Sequence, residues 1–232
     1  MTLGRWTGVA LVFVAAGVAS ACVRTDEGVP VAESSVEAPV KPLPGSEPQP
    51  SGAGDQAPPG VVPTTQVPVP VDAVTCPAPG KPGTVVTAAV SDPTAPQITL
   101  AVPPGWNSSP GSGDVGATMD GPDGMTATVT IAPSGLDPAK AFRDYTDQVM
   151  SQSPVSSVSI LPGELCDYSG QKLMGAWSDT PQNSVQFVDR IVHVWTNTKN
   201  FLVSVHVQAP TGVDQLDAAG KLLTEDFEVR LP

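Results

Sequence analysis

The chain has 232 residues with 27 prolines and 22 glycines, and its 23 acidic against 11 basic side chains give a net charge of −12. That length suits one or two domains, and a proline and glycine share of about a fifth indicates a proline-rich part beside a globular one. The acidic balance disfavours binding to nucleic acid and electrostatic attachment to anionic lipid, because both present negative phosphates.

The first residues have the organisation of a signal peptide. Arg5 lies before an apolar segment, Val9 to Val18, and the small residues Ala19, Ser20 and Ala21 follow it. The apolar segment is shorter than the about 20 residues that a bilayer span requires. We therefore predict a cleaved signal peptide over residues 1–21.

Cys22 comes directly after these small residues, and Ala19-Ser20-Ala21-Cys22 resembles a bacterial lipobox. In signals of that kind a diacylglyceryl group is attached to the cysteine, which becomes the new amino terminus and carries acyl chains such as palmitate. Two or more acyl chains give a stable anchor, which predicts a lipoprotein on the outer face of the cell membrane. The alternative is ordinary secretion with an unmodified Cys22.

A proline-rich stretch follows the lipidation site. Of the 53 residues from 23 to 75, 11 are proline and none is aromatic. Such a composition cannot bury enough apolar surface to offset the entropy of ordering. We therefore assign residues 22–75 to a lipidated terminus with a disordered linker, and residues 76–232 to a globular domain.

Two further cysteines, Cys76 and Cys166, remain if Cys22 is lipidated. Export to an oxidising compartment favours a disulfide between them, which would close a loop of about 90 residues. The alternative is one or two free buried thiols. The sequence contains no Cys-x-x-Cys pair, so it gives no support for a zinc or redox site.

The first half of the globular domain contains two strand patterns and one helix start. Residues 97–102 (QITLAV) and 125–132 (MTATVTIA) are β-branched or alternating and predict strands. Residues 107–115, rich in Ser, Gly and Asn, predict a loop. Asp137 followed by Pro138 is a strong signal for the start of a helix.

Phe142, Tyr145 and Val149 recur at helical spacing and indicate one apolar side of this helix. Pro154 ends the region. Short strands are expected near residues 155–160 and 171–177.

A long hairpin is the clearest pattern in the second half. Residues 184–195 and 201–209 alternate as strands and flank the polar link TNTKN at 196–200. A final helix is expected over residues 213–224, and residues 227–231 (FEVRL) close the chain with a short strand.

Both faces of this hairpin carry large apolar side chains. On the second strand, Val203 and Val205 point to one face of the hairpin. On the first strand, Phe187, Ile191 and Trp195 point to the opposite face. A sheet that is apolar on both sides needs cover on both sides. The sequence therefore predicts an α+β fold, an antiparallel sheet with helices on both faces.

The order of these features resembles the mycobacterial LpqN/LpqT lipoprotein family. A lipobox and a proline-rich tether are followed by ITLAVPPGW, DPAKAFRDY, DRIVHVW and FLVSVHV, and the resemblance covers roughly residues 95–232. It implies a PsbP-like α/β/α sandwich, a cell-envelope location and a non-enzymatic accessory role connected with lipid or envelope transport and with protein partners.

No residue set predicts catalysis, a metal or a cofactor. Residues 111–116 fit Gly-x-Gly-x-x-Gly, but a polar loop precedes them where a dinucleotide site needs a strand. His193 and His206 alone make a poor metal site. The chain has no Gly-x-Ser-x-Gly elbow, although two histidines and many serines leave an envelope hydrolase as an alternative.

One apolar set is the candidate ligand site: Trp106, Phe187, Ile191, Trp195 and Leu202. Under a closed helix these side chains are core, and under incomplete cover they line a groove for an acyl chain or a partner segment. We predict an envelope binding module for an apolar lipid or a protein partner. The alternative is a protein–protein adaptor without a ligand cavity.

Overall fold

The computed structural model describes residues 57–232, apart from 65, 79, 81–83 and 181. The predicted signal peptide, Cys22 and most of the predicted linker lie outside the described residues. Within the described part, no helix is both long and apolar enough to cross a bilayer.

The described residues form an α+β fold with two antiparallel sheets and two α-helices. The elements in chain order are β1 Val74–Cys76, β2 Thr84–Ala88, β3 Gln97–Val102, β4 Asn107–Pro110, β5 Val115–Asp120, β6 Thr126–Ser134, α1 Pro138–Met150, β7 Val155–Pro162, β8 Gly170–Thr180, β9 Asn183–Trp195, β10 Asn200–Pro210, α2 Leu216–Thr224 and β11 Glu228–Arg230.

The larger sheet has seven strands in the order β4-β5-β6-β10-β9-β8-β7. Its centre is the β9–β10 hairpin, in which Trp195 is opposite Asn200 and Asp189 is opposite His206. The turn between the strands places Asn197 at a φ of 68°, a left-handed conformation that asparagine tolerates well. The predicted hairpin is confirmed.

One face of this sheet is covered by α2 and by the smaller sheet, which has the order β1-β11-β3-β2. Val203 and Val205 of β10 lie in one apolar cluster with Ile98 of β3, Val229 of β11 and Leu223 of α2. All five side chains are fully buried. This layer holds most of the described core.

The other face is covered by α1 over β7, β8 and β9. The carboxylate of Asp137 accepts a hydrogen bond from the backbone N–H of Lys140 at 3.0 Å, and Pro138 occupies the first turn, which fixes the start of the helix. Phe142 and Val149 then pack against the sheet. The prediction of an antiparallel sheet with helices on both faces is confirmed. The smaller sheet was not predicted.

The loop predicted for residues 107–115 is confirmed for residues 111–114, which connect two strands, and is wrong for residues 107–110. Residues Asn107–Pro110 form β4, which pairs with β5 in a hairpin that continues the large sheet. Every residue of β4 is exposed. The strand therefore depends on backbone pairing to its neighbour, and no burial pattern in the sequence reveals it.

The folded domain begins earlier than residue 76. Residues 57–64 and 66–75, assigned above to the disordered linker, lie against the domain, and several of them make backbone or side-chain hydrogen bonds to it. The prolines of this stretch exclude regular structure, but an extended chain can still be held by partners distant in sequence.

Candidate functional site

The last part of the proline-rich stretch forms a strap, which we define as the described residues of 57–73, that is 57–64 and 66–73. The carbonyl of Gly60 accepts a hydrogen bond from the backbone N–H of Gly170 at 2.9 Å. The hydroxyl of Ser169 accepts from the N–H of Val62 and donates to its carbonyl, both at 3.0 Å. One end of the strap is therefore bonded to the start of β8.

The other end of the strap is held by the β9–β10 turn and by the chain terminus. The side-chain amide of Asn197 donates to the carbonyl of Val69 at 2.8 Å and its oxygen accepts from the Val69 N–H at 3.1 Å. The N–H of Leu231 donates to the carbonyl of Ala73 at 2.9 Å. Residues 63, 64 and 66–68 lie between these two attachments.

A cleft of about 590 Å³ opens beneath the strap, within the range of small-molecule sites. Its lining combines apolar and polar side chains, and among the described residues it contains no lysine or arginine. The lining residues are Val62, Pro63, Thr64, Val67, Val69, Thr75, Glu164, Cys166, Asp167, Tyr168, Trp195 and Leu231.

A disulfide lies beside this cleft, and one of its cysteines, Cys166, contributes to the lining. It joins Cys76 at the end of β1 to Cys166 across 90 residues, with the two Cα atoms 5.9 Å apart. Beside it the hydroxyl of Tyr168 donates to the hydroxyl oxygen of Thr75 at 2.7 Å. Burial raises the pKa of Tyr168, so the phenol stays neutral and serves as a hydrogen-bonding group.

A buried arginine contacts the backbone of the loop that carries Glu164, one of the acidic residues of the cleft. Arg190 of β9 donates to the backbone carbonyl of Glu164 at 2.7 Å and to that of Thr224 at 3.4 Å, and it forms an ion pair with Asp226. Burial lowers the pKa of Arg190, and the charges of Asp226 and Glu164 oppose that effect. Arg190 therefore ties the end of α2 to the loop that carries Glu164.

A second polar cluster lies on the opposite face of the sheet, beneath α1. The carboxylate of Asp189, fully buried, is 2.6 Å from Nδ1 of His206 and accepts a hydrogen bond from the hydroxyl of Tyr145 at 3.0 Å. Nε2 of His206 lies 3.2 Å from the side-chain oxygen of Gln208. Trp177 stacks on the imidazole at 5.7 Å between ring centroids.

The pKa values of this cluster follow from its geometry. Burial lowers the pKa of His206, but the hydrogen bond and charge of Asp189, together with Gln208, raise it by more, so the net shift is upward from 6.5. Burial, then the charge of Asp189, raises the pKa of Tyr145 well above 10.0. The cluster therefore favours a protonated imidazole beside a carboxylate and a neutral phenol.

The candidate ligand residues do not form one site. Phe187 and Ile191 are buried beneath α1, and Leu202 packs against the same cluster. Trp195 lines the cleft under the strap. Trp106 packs against the core of the other face, with its ring over Gly121. Of the five, only Trp195 lies in the cleft, and ligand binding at the set stays a prediction.

The predicted set omitted the strap and the Asp189–His206 pair. The pair could not be derived from the predicted link, because a hairpin centred on TNTKN at 196–200 sets Asp189 opposite Val207, whereas in the structure Asn200 pairs with Trp195 and Asp189 lies opposite His206. The strap could not be derived either, since its partners Ser169 and Asn197 are 107 and 128 residues away from Val62 and Val69.

The geometry gives no support for the hydrolase alternative. Among the described residues, neither imidazole is hydrogen-bonded to a serine hydroxyl: His206 contacts Asp189 and Gln208, and Nε2 of His193 is 3.0 Å from the carbonyl of Leu136. In the same part of the chain, no three His, Cys, Asp or Glu side chains are grouped so that they could hold a metal ion.

Comparison with known proteins identifies a similar fold. No protein-family model matches the chain, and no curated protein sequence matches it. A solved structure, LpqN involved in cell envelope biogenesis of Mycobacterium tuberculosis, matches with a TM-score of 0.50 and 19% identity. The match covers 64% of this chain and 91% of LpqN. The chain therefore has an LpqN-like fold.

Proposed function

We propose that this protein is a lipid-anchored accessory protein of the cell envelope, without enzymatic activity, and that the cleft under the strap binds a neutral amphiphile with an apolar chain. The observation that carries the proposal is the cleft itself. Its volume suits a small ligand, and Trp195, Val67 and Val69 offer apolar contact.

The charge of the cleft supports a neutral polar end for the ligand. Glu164 and Asp167 line it, and no lysine or arginine is found among its described lining residues. A phosphate or carboxylate placed there would be repelled and would find no cationic partner. The hydroxyls of Thr75 and Tyr168 can exchange hydrogen bonds with ligand hydroxyl groups.

The envelope location is supported by two independent features. Ala19-Ser20-Ala21-Cys22 resembles a lipobox and precedes a proline-rich linker. LpqN, whose fold this chain shares, is described as involved in cell envelope biogenesis. A domain held by acyl chains on such a linker could meet ligands or partners near the membrane surface.

Native mass spectrometry of the full chain, released from a mild detergent, tests the proposal. The two probes are a neutral monoacylglycerol and an anionic lysophosphatidylglycerol with the same acyl chain. We expect one bound monoacylglycerol and much weaker binding of the anionic lipid. Trp195→Ala should weaken the complex at least about tenfold, because it removes an aromatic wall of the cleft.

Trp177→Ala is the matched control, since Trp177 lies beneath α1 and does not line the cleft. It should leave monoacylglycerol binding unchanged. Equal binding of the two lipids would contradict the neutral polar end. Binding of neither lipid would contradict the ligand site and favour the adaptor alternative.

A further inference from the structure

Strand β7, Val155–Pro162, is the last strand of the large sheet and, among the described elements, pairs only with β8. It keeps one register along its whole length, from Val155 opposite Ser178 to Pro162 opposite Gln171. Its other side presents a row of backbone N–H and C=O groups to solvent, which is a template for a further strand.

This edge lacks the usual features that prevent edge pairing. Proteins protect edges with charged side chains, prolines, bulges or short strands. Strand β7 has eight residues, no charge, no bulge, and a proline only at its last position. The opposite edge strand, β4, has only four residues and also ends in a proline.

Large apolar side chains are exposed along β7. Val155 is 66% exposed and Leu161 is 47% exposed, and both lie on the same face of the sheet because their positions differ by an even number. Met174 of β8, opposite Ser159, adds a third apolar side chain on that face and is 46% exposed. Burying these side chains would be favourable.

The sequence of β7 is self-complementary. When a second copy is placed antiparallel with Val158 on the two-fold axis, Val155 and Leu161, the exposed apolar residues of one face, lie opposite each other, while Ile160, 40% exposed on the other face, lies opposite a serine. The opposed pairs are Val155 with Leu161, Ser157 with Ser159, Ser156 with Ile160, and Val158 with itself.

Other two-fold registers lose this match. An isologous antiparallel pair keeps equal faces together, so only shifts of two residues are allowed. A shift in one direction places Leu161 opposite Ser153, and a shift in the other places Val155 opposite Gly163.

We propose that two copies of this chain associate through β7 in this antiparallel register, joining their large sheets into one continuous sheet. The absence of charge on β7 allows a second copy to approach this edge. Each chain carries a net charge of −12, so two copies repel, and they can approach closely only where the contacting elements are uncharged. Strand β7 is such an element.

Sedimentation equilibrium of the full chain in a density-matched detergent tests the proposal. We expect a concentration-dependent dimer. In the double variant Ser157→Lys/Ser159→Lys, each lysine faces a lysine of the second copy, and the dimer should weaken about tenfold or more. In Ser157→Lys/Ser159→Glu, each lysine faces a glutamate, and the dimer should return.

Ser108→Lys/Ser109→Lys adds the same charge on the opposite edge strand and should leave the dimer unchanged. Circular dichroism checks that each variant is folded, which is expected because the four serines are exposed. A protein that stays monomeric at every concentration overturns the proposal. So does a dimer that survives the two lysines, or one that the lysine–glutamate variant fails to restore.

Discussion

Replacing Asp189 by asparagine should destabilise the protein far more in acid than in alkali. Asp189 accepts hydrogen bonds from Tyr145 and from His206 in a fully buried position. Asparagine keeps the shape and can still accept from the Tyr145 hydroxyl. Its amide can also donate to a neutral imidazole, but it offers no negative charge to a protonated one.

The sign follows from the direction of the His206 pKa shift. Burial lowers that pKa and Asp189 raises it by more, so the folded-state value lies above the unfolded value of 6.5. Asp189 and His206 therefore contribute stability that is complete below the unfolded pKa and is lost as pH rises through the folded pKa. The loss in Asp189→Asn should be about 3 kcal/mol near pH 5 and about 1 kcal/mol near pH 9, the values for a charge-assisted and a neutral hydrogen bond.

Urea denaturation of the wild type and Asp189→Asn at both pH values measures these losses. Asp147→Asn, a change at an exposed position of α1, is the matched control and should cost little at either pH. Burial lowers the pKa of His193, which destabilises the wild type in acid, but this effect is common to both proteins and cancels. An equal loss at both pH values would refute the reasoning.

Three further predictions have defined outcomes. Replacing Cys76 and Cys166 by serine should lower the free energy of unfolding by about 4 kcal/mol, because the bond closes a loop of 90 residues; denaturation with and without reductant measures this. Asn197→Gly keeps the left-handed turn but removes both bonds to Val69, so amide exchange at Val69 should accelerate at least about fivefold while exchange in β9 stays slow. The intact mass of the purified native protein should equal that of residues 22–232 plus a diacylglyceryl group and acyl chains, and an unmodified thiol at Cys22 would contradict lipid anchoring there.

The sequence was most informative where local patterns decide local structure. Asp137 and Pro138 specify the start of α1 through a cap and a fixed φ, and both signals lie within two residues. The β9–β10 hairpin could be predicted because its alternation extends over more than ten residues on each side of a polar turn. Because both faces of the hairpin carry apolar residues, the sequence predicted that each face is covered, and this prediction is confirmed.

The sequence was less informative where structure depends on distant partners. Strand β4 has no buried residue and exists through its pairing with β5. The prolines of the strap fit a disordered linker equally well, and only hydrogen bonds to Ser169 and Asn197 hold it. Trp195 and Phe187 share one face of β9, and alternation along the strand therefore predicts one environment for both. In the structure α1 covers Phe187, whereas Trp195 lines the cleft.

The strap connects the proposed ligand site to the proposed anchor. Val62 and Val69 line the cleft and are also the points at which the strap is bonded to the domain. A ligand that contacts both residues binds the form in which the strap is attached, and it stabilises that form by mass action. By the same linkage, a change that loosens the strap, such as Asn197→Gly, weakens ligand binding in proportion to the fall in the fraction of molecules whose strap is attached. Ligand binding in the cleft therefore depends on the same equilibrium, between an attached and a detached strap, that amide exchange at Val69 reports.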